Sequence, residues 1–456
     1  MSRSVSRKLV QTWAGLGPRF LPFADAATPE LPLGRLLRLS LFQVSVGMAL
    51  VLLVGTLNRV MIVELGVPAF LVAVMIALPV LYAPFRALVG FRSDNHRSAL
   101  GWKRVPYIWM GTMIQFGGLA IMPFAVLVLS GGGNASQWPA WVGQLGAGLA
   151  FLLVGAGLHT TQTAGLALTT DLAPEAAQPR VVGLMYVMLL LGTIVSALIF
   201  GWALQDFSPA RLVQVIQGAA VATLVLNAIS LWKQEPRHRQ APTAVRAEPD
   251  FRAAWRQLLQ GPSARRRLTC IGLGTLAFAM QDVLLEPYGG QVLGMSVGQT
   301  TLLTATLAAG GLIGFAVASV VLGRGQDAMR MASIGATLGV PAFLLVALSA
   351  PMGSVPAFVT GVFMIGLAGG LFSHGTLTAT MNSAPRDQIG LALGAWGAVQ
   401  ATAAGVAVAA GGVLADAVAA VGGRAAGYGA VYLLEVLLLL VTLLGMSPLI
   451  KRNSLR

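Results

Sequence analysis

From Leu36 to the C-terminal tail, the chain is a succession of apolar runs of about 20 residues, separated by short polar breaks. A helix of that length crosses a hydrocarbon core of about 30 Å. The runs are continuous and do not alternate, which excludes the two-residue pattern of membrane-spanning strands. Only 10% of the residues are charged and 56% are hydrophobic, too little charge to cover a soluble body of 456 residues. The chain reads as an all-α polytopic membrane protein.

Breakers divide the apolar sequence into twelve spans, near 37–57, 68–89, 105–130, 140–169, 181–203, 211–232, 268–287, 298–322, 330–350, 355–381, 389–414 and 427–448. An even number puts both termini on one side. Of the 30 Lys and Arg residues, 27 share that side, and only Arg59, Arg211 and Arg424 fall on the other. The positive-inside rule makes the basic side cytoplasmic. It also accounts for the net charge of +14 without a nucleic-acid partner. Cys270 is the only cysteine, so no intrachain disulfide is expected.

The spans group into two six-helix bundles, 37–232 and 268–448. They are preceded by a basic arm over 1–36, joined by a linker over 233–267 and followed by a tail over 449–456. The arm lacks the apolar core of a cleaved signal and reads as an interfacial segment resting Leu9, Trp13 and Phe20 on lipid. In the linker, Phe251, Trp255, Leu258 and Leu259 share one helix face opposite Arg252 and Arg256, the pattern of a surface helix.

The halves echo one another. Gly90-x-x-x-Asp94-x-x-Arg97 follows the second span, and Gly323-x-x-x-Asp327-x-x-Arg330 follows the eighth. Leu57-Asn58…Leu65-Gly66-Val67 ends the first span as Leu285-Glu286…Leu293-Gly294-Met295 ends the seventh. Asp171-Leu-Ala-Pro174 and Asn382-Ser-Ala-Pro385 follow the fourth and tenth. Three matches in one order point to a duplicated unit.

Polar residues inside the spans are few, and each is a candidate for function. His159, with Gln162 one turn on, lies in the fourth span, and His374 lies in the tenth, its counterpart. A neutral imidazole there can relay protons, hydrogen-bond a carbonyl, ligate the metal of a porphyrin-like ring, or be satisfied by a neighbouring helix. Asp282 and Glu286 stand four apart in the seventh span, where one helix face would carry both. Pro287 and Gly289-Gly290 are expected to end that helix, leaving Glu286 near the outer interface with Arg59 as a candidate partner. Glu435 is a further isolated acid within a span, either a helix–helix hydrogen-bonding residue or a functional one. Gln43, Gln115, Asn227 and Gln400 read as helix–helix hydrogen-bonding residues. The glycine-rich run 394–412 suits close packing, and its flat faces would equally admit a planar ligand. No nucleophile elbow, phosphate-binding loop or zinc spacing is present, so no enzyme is expected.

The Gly-x-x-x-Asp and basic motif between the second and third spans resembles that of the major facilitator superfamily. That resemblance implies two pseudo-symmetric six-helix halves. It also implies a cytoplasmic brace or gate built from Gly90, Asp94, Arg97, Lys103, Arg104, Gly323, Asp327 and Arg330. Longer segments are more specific. RVMIVELGVP (59–68), APFRALVGFRSDNHRSALGWKRVPYIW (83–109), QFGGLAIMPFA (115–125) and QDVLLEPYGGQVLGM (281–295) resemble the PucC/LhaA family of that superfamily. The resemblance implies a multi-pass protein of the bacterial inner, intracytoplasmic membrane. It would be an assembly factor that binds bacteriochlorophyll and hands it to the α and β polypeptides of a light-harvesting antenna. His159, Gln162 and His374 are then candidate pigment contacts. The contrasting expectation is a proton-coupled secondary transporter of a small amphipathic solute, working through Asp282, Glu286 or Glu435.

Overall fold

A computed structural model of the chain describes residues 27–82, 101–130, 137–174, 177–236, 263–383 and 389–450, with Arg86, Val89, Ser93 and Ser98 between the first two blocks. Most of the basic arm, the amphipathic linker segment, the tail, and Gly90, Asp94 and Arg97 lie outside these residues. Twelve helical elements follow in order. In the first half they are α1 (Leu33–Glu64), α2 (Ala69–Leu81), α3 (Val105–Leu129), α4 (Ala140–Leu172), α5 (Gln178–Ala203) and α6 (Pro209–Leu231). In the second they are α7 (Ala264–Gln291), α8 (Val297–Gly323), α9 (Ala328–Ser349), α10 (Val355–Ser383), α11 (Ile389–Gly422) and α12 (Arg424–Met446). Among the described residues, eleven are long and apolar enough to cross a membrane, and α2 is a shorter apolar helix.

Within each half, equivalent helices pair: α3 packs on α4, and α9 on α10. The halves meet along α5 with α8 and α2 with α11. Small residues permit the close approaches. A side chain at Gly412 of α11 would collide with Ala73 and the Ala69 carbonyl of α2, so the glycine-rich run serves a helix contact. Gln115, Asn227, Ser45, Thr112 and Thr223 link α1, α3 and α6 through buried hydrogen bonds, for example Asn227 Nδ2 to Thr112 Oγ1 at 2.9 Å.

The duplication is visible in backbone detail. After α1, Gly66 takes φ +67°, and Val67 N–H reaches back to the Met61 carbonyl at 2.9 Å. After α7, Gly294 takes φ +67°, and Met295 N–H reaches the Gly289 carbonyl at 2.9 Å. Both are glycine-dependent helix terminations of one kind.

Two helices are irregular. In α1, π-helical turns over Val51–Thr56 and Val60–Glu64 flank Asn58 and Arg59. In α7, a 3-10 turn over Met280–Val283 breaks the α-helix, which resumes as Leu285–Gln291. The expected helix end at Pro287 is therefore corrected. Pro287 occupies the first turn of the resumed helix, where a missing N–H costs no intrahelical bond. Glu286 is buried, 2% exposed.

Candidate functional site

The first polar constellation is carried by α4. Gln162 Nε2 donates to Gln43 Oε1 of α1 at 3.4 Å. Arg86, just beyond α2, donates from NH2 to Gln162 Oε1 at 3.3 Å and from Nε to Thr163 Oγ1 at 3.1 Å. Arg86 is also the charged neighbour of His159. The His159 Nδ1 is buried and hydrogen-bonds nothing. Sequence reasoning counted Arg86 only as a topology charge. Its position one turn past an apolar run and its reach toward α4 become visible only when α2 and α4 are packed.

The counterpart on α10 is less polar. His374 Nδ1 is likewise buried without a partner. Its ring lies against Phe315 of α8, with centroids 4.1 Å apart and planes at 53°. Two residues on in α10, Thr376 Oγ1 accepts from Trp396 Nε1 of α11 at 3.2 Å. The two histidines occupy different halves, and no described hydrogen bond joins their surroundings.

The acids of α7 separate. The 3-10 turn changes the helical phase between positions 282 and 286, so they do not share one face. Asp282 accepts from Gln281 Nε2 at 2.5 Å and has Glu435 of α12 as its electrostatic neighbour. Glu286 points to α1 and α8. Thr304 Oγ1 donates to its Oε1 at 2.6 Å, and the side chain lies on the bare face of Gly55. Arg59 does not pair with Glu286. It forms its ion pair with Glu64, and its NH2 donates to the Met295 carbonyl at 3.2 Å. Glu435 is fully buried; the Gln281 backbone N–H lies at its carboxyl group, and no described side chain hydrogen-bonds it. Among the described residues, no group of three His, Cys, Asp or Glu side chains is placed to hold a metal ion.

On the basic side, the described motif residues brace their own half. Arg104 Nε pairs with Asp171 at the end of α4 at 2.9 Å, and its NH1 donates to Ser93 Oγ at 2.6 Å. Glu235, just beyond α6, accepts the backbone N–H groups of Lys103, Arg104 and Val105 at 2.7, 3.0 and 2.8 Å. That carboxylate caps α3, whose own N-cap residue offers no side-chain acceptor. In the repeat, Asp327 accepts the Arg330 N–H at 2.8 Å and caps α9.

On the opposite side, the halves are hydrogen-bonded together. Asn58 Nδ2 donates to the Val283 carbonyl at 2.7 Å, and Gln291 Nε2 to the Ile62 carbonyl at 3.3 Å. Asp416 of α11 accepts the Phe70 N–H at the start of α2 at 2.7 Å. Asp416 and Glu235 escaped sequence reasoning. The signal for Asp416 was present, as a lone acid two residues past the eleventh apolar span.

A family model described as PUCC protein matches residues 56–454. The chain is 64% identical over 422 residues to Protein PucC of Rhodovulum sulfidophilum, covering 91% of this chain and 92% of that one. It is 58% identical over 441 residues to Protein PucC of Cereibacter sphaeroides, covering 96% of each. A more distant relative, 28% identical over 384 residues and covering 81% of this chain and 85% of its own, is the bacteriochlorophyll synthase 44.5 kDa chain of Rhodobacter capsulatus. Among solved structures, a bacterial homologue of the lysosomal transporter Spinster superposes with a TM-score of 0.66 at 15% identity, over 91% of this chain and 95% of that one. That likeness gives the fold, the transporter fold of the major facilitator superfamily. With sequence and fold in agreement across nearly its whole length, the chain belongs to the PucC family.

Proposed function

We propose that this protein is an assembly factor for bacterial light-harvesting antenna complexes, one that binds bacteriochlorophyll and delivers it to the antenna α and β polypeptides. It would work in the inner, intracytoplasmic membrane with both termini in the cytoplasm. The observation that carries this reading is the pair of intramembrane imidazoles. His159 and His374 sit on counterpart helices, each with a ring nitrogen that no described residue hydrogen-bonds. The cargo is a planar, lipid-soluble ring whose magnesium has an open axial position suited to a neutral imidazole. Around His159, Arg86 and Gln162 supply donors for the carbonyl groups on the ring's edge. Around His374, Phe315 supplies an aromatic face. The family relationship, and the bacteriochlorophyll in the name of one relative, support the same cargo.

The test is the absorption spectrum of the protein purified from a bacteriochlorophyll-producing host. Wild type is expected to carry pigment, and His159→Ala and His374→Ala each to lower the pigment-to-protein ratio. Pigment-free protein, together with normal antenna absorbance in a deletion strain, would end this reading. Undiminished pigment in the double alanine variant would remove the histidines from it.

A second reading, proton-coupled secondary transport of a small amphipathic solute, is favoured by one observation. Glu435 is fully buried beside Asp282 with no side-chain hydrogen-bond partner among the described residues, and intramembrane acids are characteristic of proton relays. It predicts a proton-coupled flux in liposomes that Glu435→Gln or Asp282→Asn abolishes.

A further inference from the structure

At the basic end of the first half, the start of α1, the start of α3 and the end of α6 enclose a groove of about 1310 Å³. Trp102, Trp109 and Trp232 line it, together with Arg35, Arg38 and Lys233. Trp109 and Trp232 are 42% and 65% exposed, high values for the largest side chain. Tryptophan at the end of a membrane helix marks the headgroup level.

The charge of the groove is one-sided. Among the described residues Glu235 is its only acid, and three backbone N–H groups of the α3 terminus already engage that carboxylate. Arg35 is held by neutral acceptors, its Nε by Gln234 Oε1 at 3.0 Å and its NH2 by the Gln234 carbonyl at 2.6 Å. Its position is fixed while its charge stays uncompensated. Arg38 has a buried Nε with no hydrogen-bond partner. Lys233 is held in the left-handed region, at φ +51°, a conformation that strains a residue with a side chain. Among the described residues, neither Arg38 nor Lys233 has an ion pair.

We propose that this groove binds the phosphate headgroup of an anionic phospholipid. Arg38 and Lys233 contact the phosphate, Arg35 adds its fixed charge, and the tryptophans flank the glycerol region. Leu37, Met110, Val225 and Ile229, exposed apolar residues of the same three helices, offer contacts for the acyl chains. Arg38 and Lys233 line the groove without an ion-pair partner among the described residues, and a lipid phosphate supplies the counter-charge. The inference does not depend on the cargo proposed above.

The experiment uses full-length, delipidated protein in a neutral detergent, with thermal unfolding followed on addition of phosphatidylglycerol, phosphatidylcholine or inorganic phosphate. Phosphatidylglycerol is expected to raise the apparent unfolding temperature of wild type by roughly 3–5 °C. R38Q and K233Q should each lose most of that rise. R266Q, which removes the same charge from the basic side of the other half, should keep it, as should R38K. If R38Q does not fold, the lipid retained by K233Q on purification, measured by mass spectrometry against wild type, gives the same readout. Equal stabilisation by phosphatidylcholine overturns the proposal, and so does equal stabilisation by inorganic phosphate, which would mark a free-anion site. A rise unaffected by R38Q and K233Q but lost on deleting residues 1–26 also overturns it and assigns the groove to the N-terminal arm.

Discussion

Val283 carries a carbonyl that its own helix cannot use. The acceptor four residues before Pro287 has no N–H to receive, because proline lacks one. Asn58 of α1 supplies the donor from the other half at 2.7 Å. The duplicated position repeats the arrangement with different chemistry. Glu286, 228 residues after Asn58, lies against Gly55, 228 residues before Val283. Asn58→Ala should leave a buried carbonyl unsatisfied and cost about 1–3 kcal/mol, read as a lower unfolding temperature in detergent. Pro287→Ala restores an N–H to the helix, so the double variant should lose much less than the sum of its parts. If Asn58→Ala costs the same with and without Pro287, the orphaned carbonyl does not explain the contact. The sequence marked Asn58 and Glu286 as one duplicated position, but not what either touches. The acceptor exists only because a 3-10 turn and a proline coincide on another helix.

At the scale of the helix, α2 and α8 begin at duplicated positions with different caps. Ser296 caps α8 from within, its Oγ accepting the Gln299 N–H while the Gln299 side chain returns to the Ser296 N–H. Pro68 holds the matching place before α2 and can do neither, so the carboxylate of Asp416 accepts the Phe70 N–H from α11. Asp416→Ala should therefore cost about 1 kcal/mol, the usual loss of an N-cap. Adding Pro68→Ser should recover that stability, because it rebuilds the local cap. Thermal unfolding of the two variants checks both statements, and failure of the serine to rescue would mean that Asp416 acts through something other than the helix end. Span positions were legible because hydrophobic length alone fixes them, as the fourth span, 140–169, and α4, Ala140–Leu172, illustrate. The end of α7 was not legible. Pro287 and two glycines carry the local signature of a stop, yet packing against α1 and α8 holds the chain helical to Gln291.

For the whole molecule, the distribution of contacts is asymmetric. Every described hydrogen bond between the halves, from Thr56 with Thr301 to Phe70 with Asp416, lies toward the side with few basic residues. On the basic side, the described hydrogen bonds of Arg104, Glu235 and Asp327 stay within one half. Among the described residues, the halves are therefore hydrogen-bonded together at the end with few basic residues. The duplication itself could be read from sequence, but which end is so joined could not. Two packings of such halves differ by only a few kcal/mol, and no single residue type encodes the choice. A disulfide tests whether the joined end must open. The hydroxyls of Thr56 and Thr301 are 3.4 Å apart, so cysteines at both positions, with Cys270 replaced by serine, should cross-link α1 to α8 on mild oxidation. His159 and His374 belong to α4 and α10, neither of which this bridge touches. Pigment binding by the cross-linked protein should therefore match that of its reduced form. A transporter that alternates between its two ends would instead lose all flux when cross-linked and regain it on reduction. Loss of bound pigment on cross-linking would show that the histidine sites depend on opening at the sparse end, and a static pigment carrier would then be the wrong description.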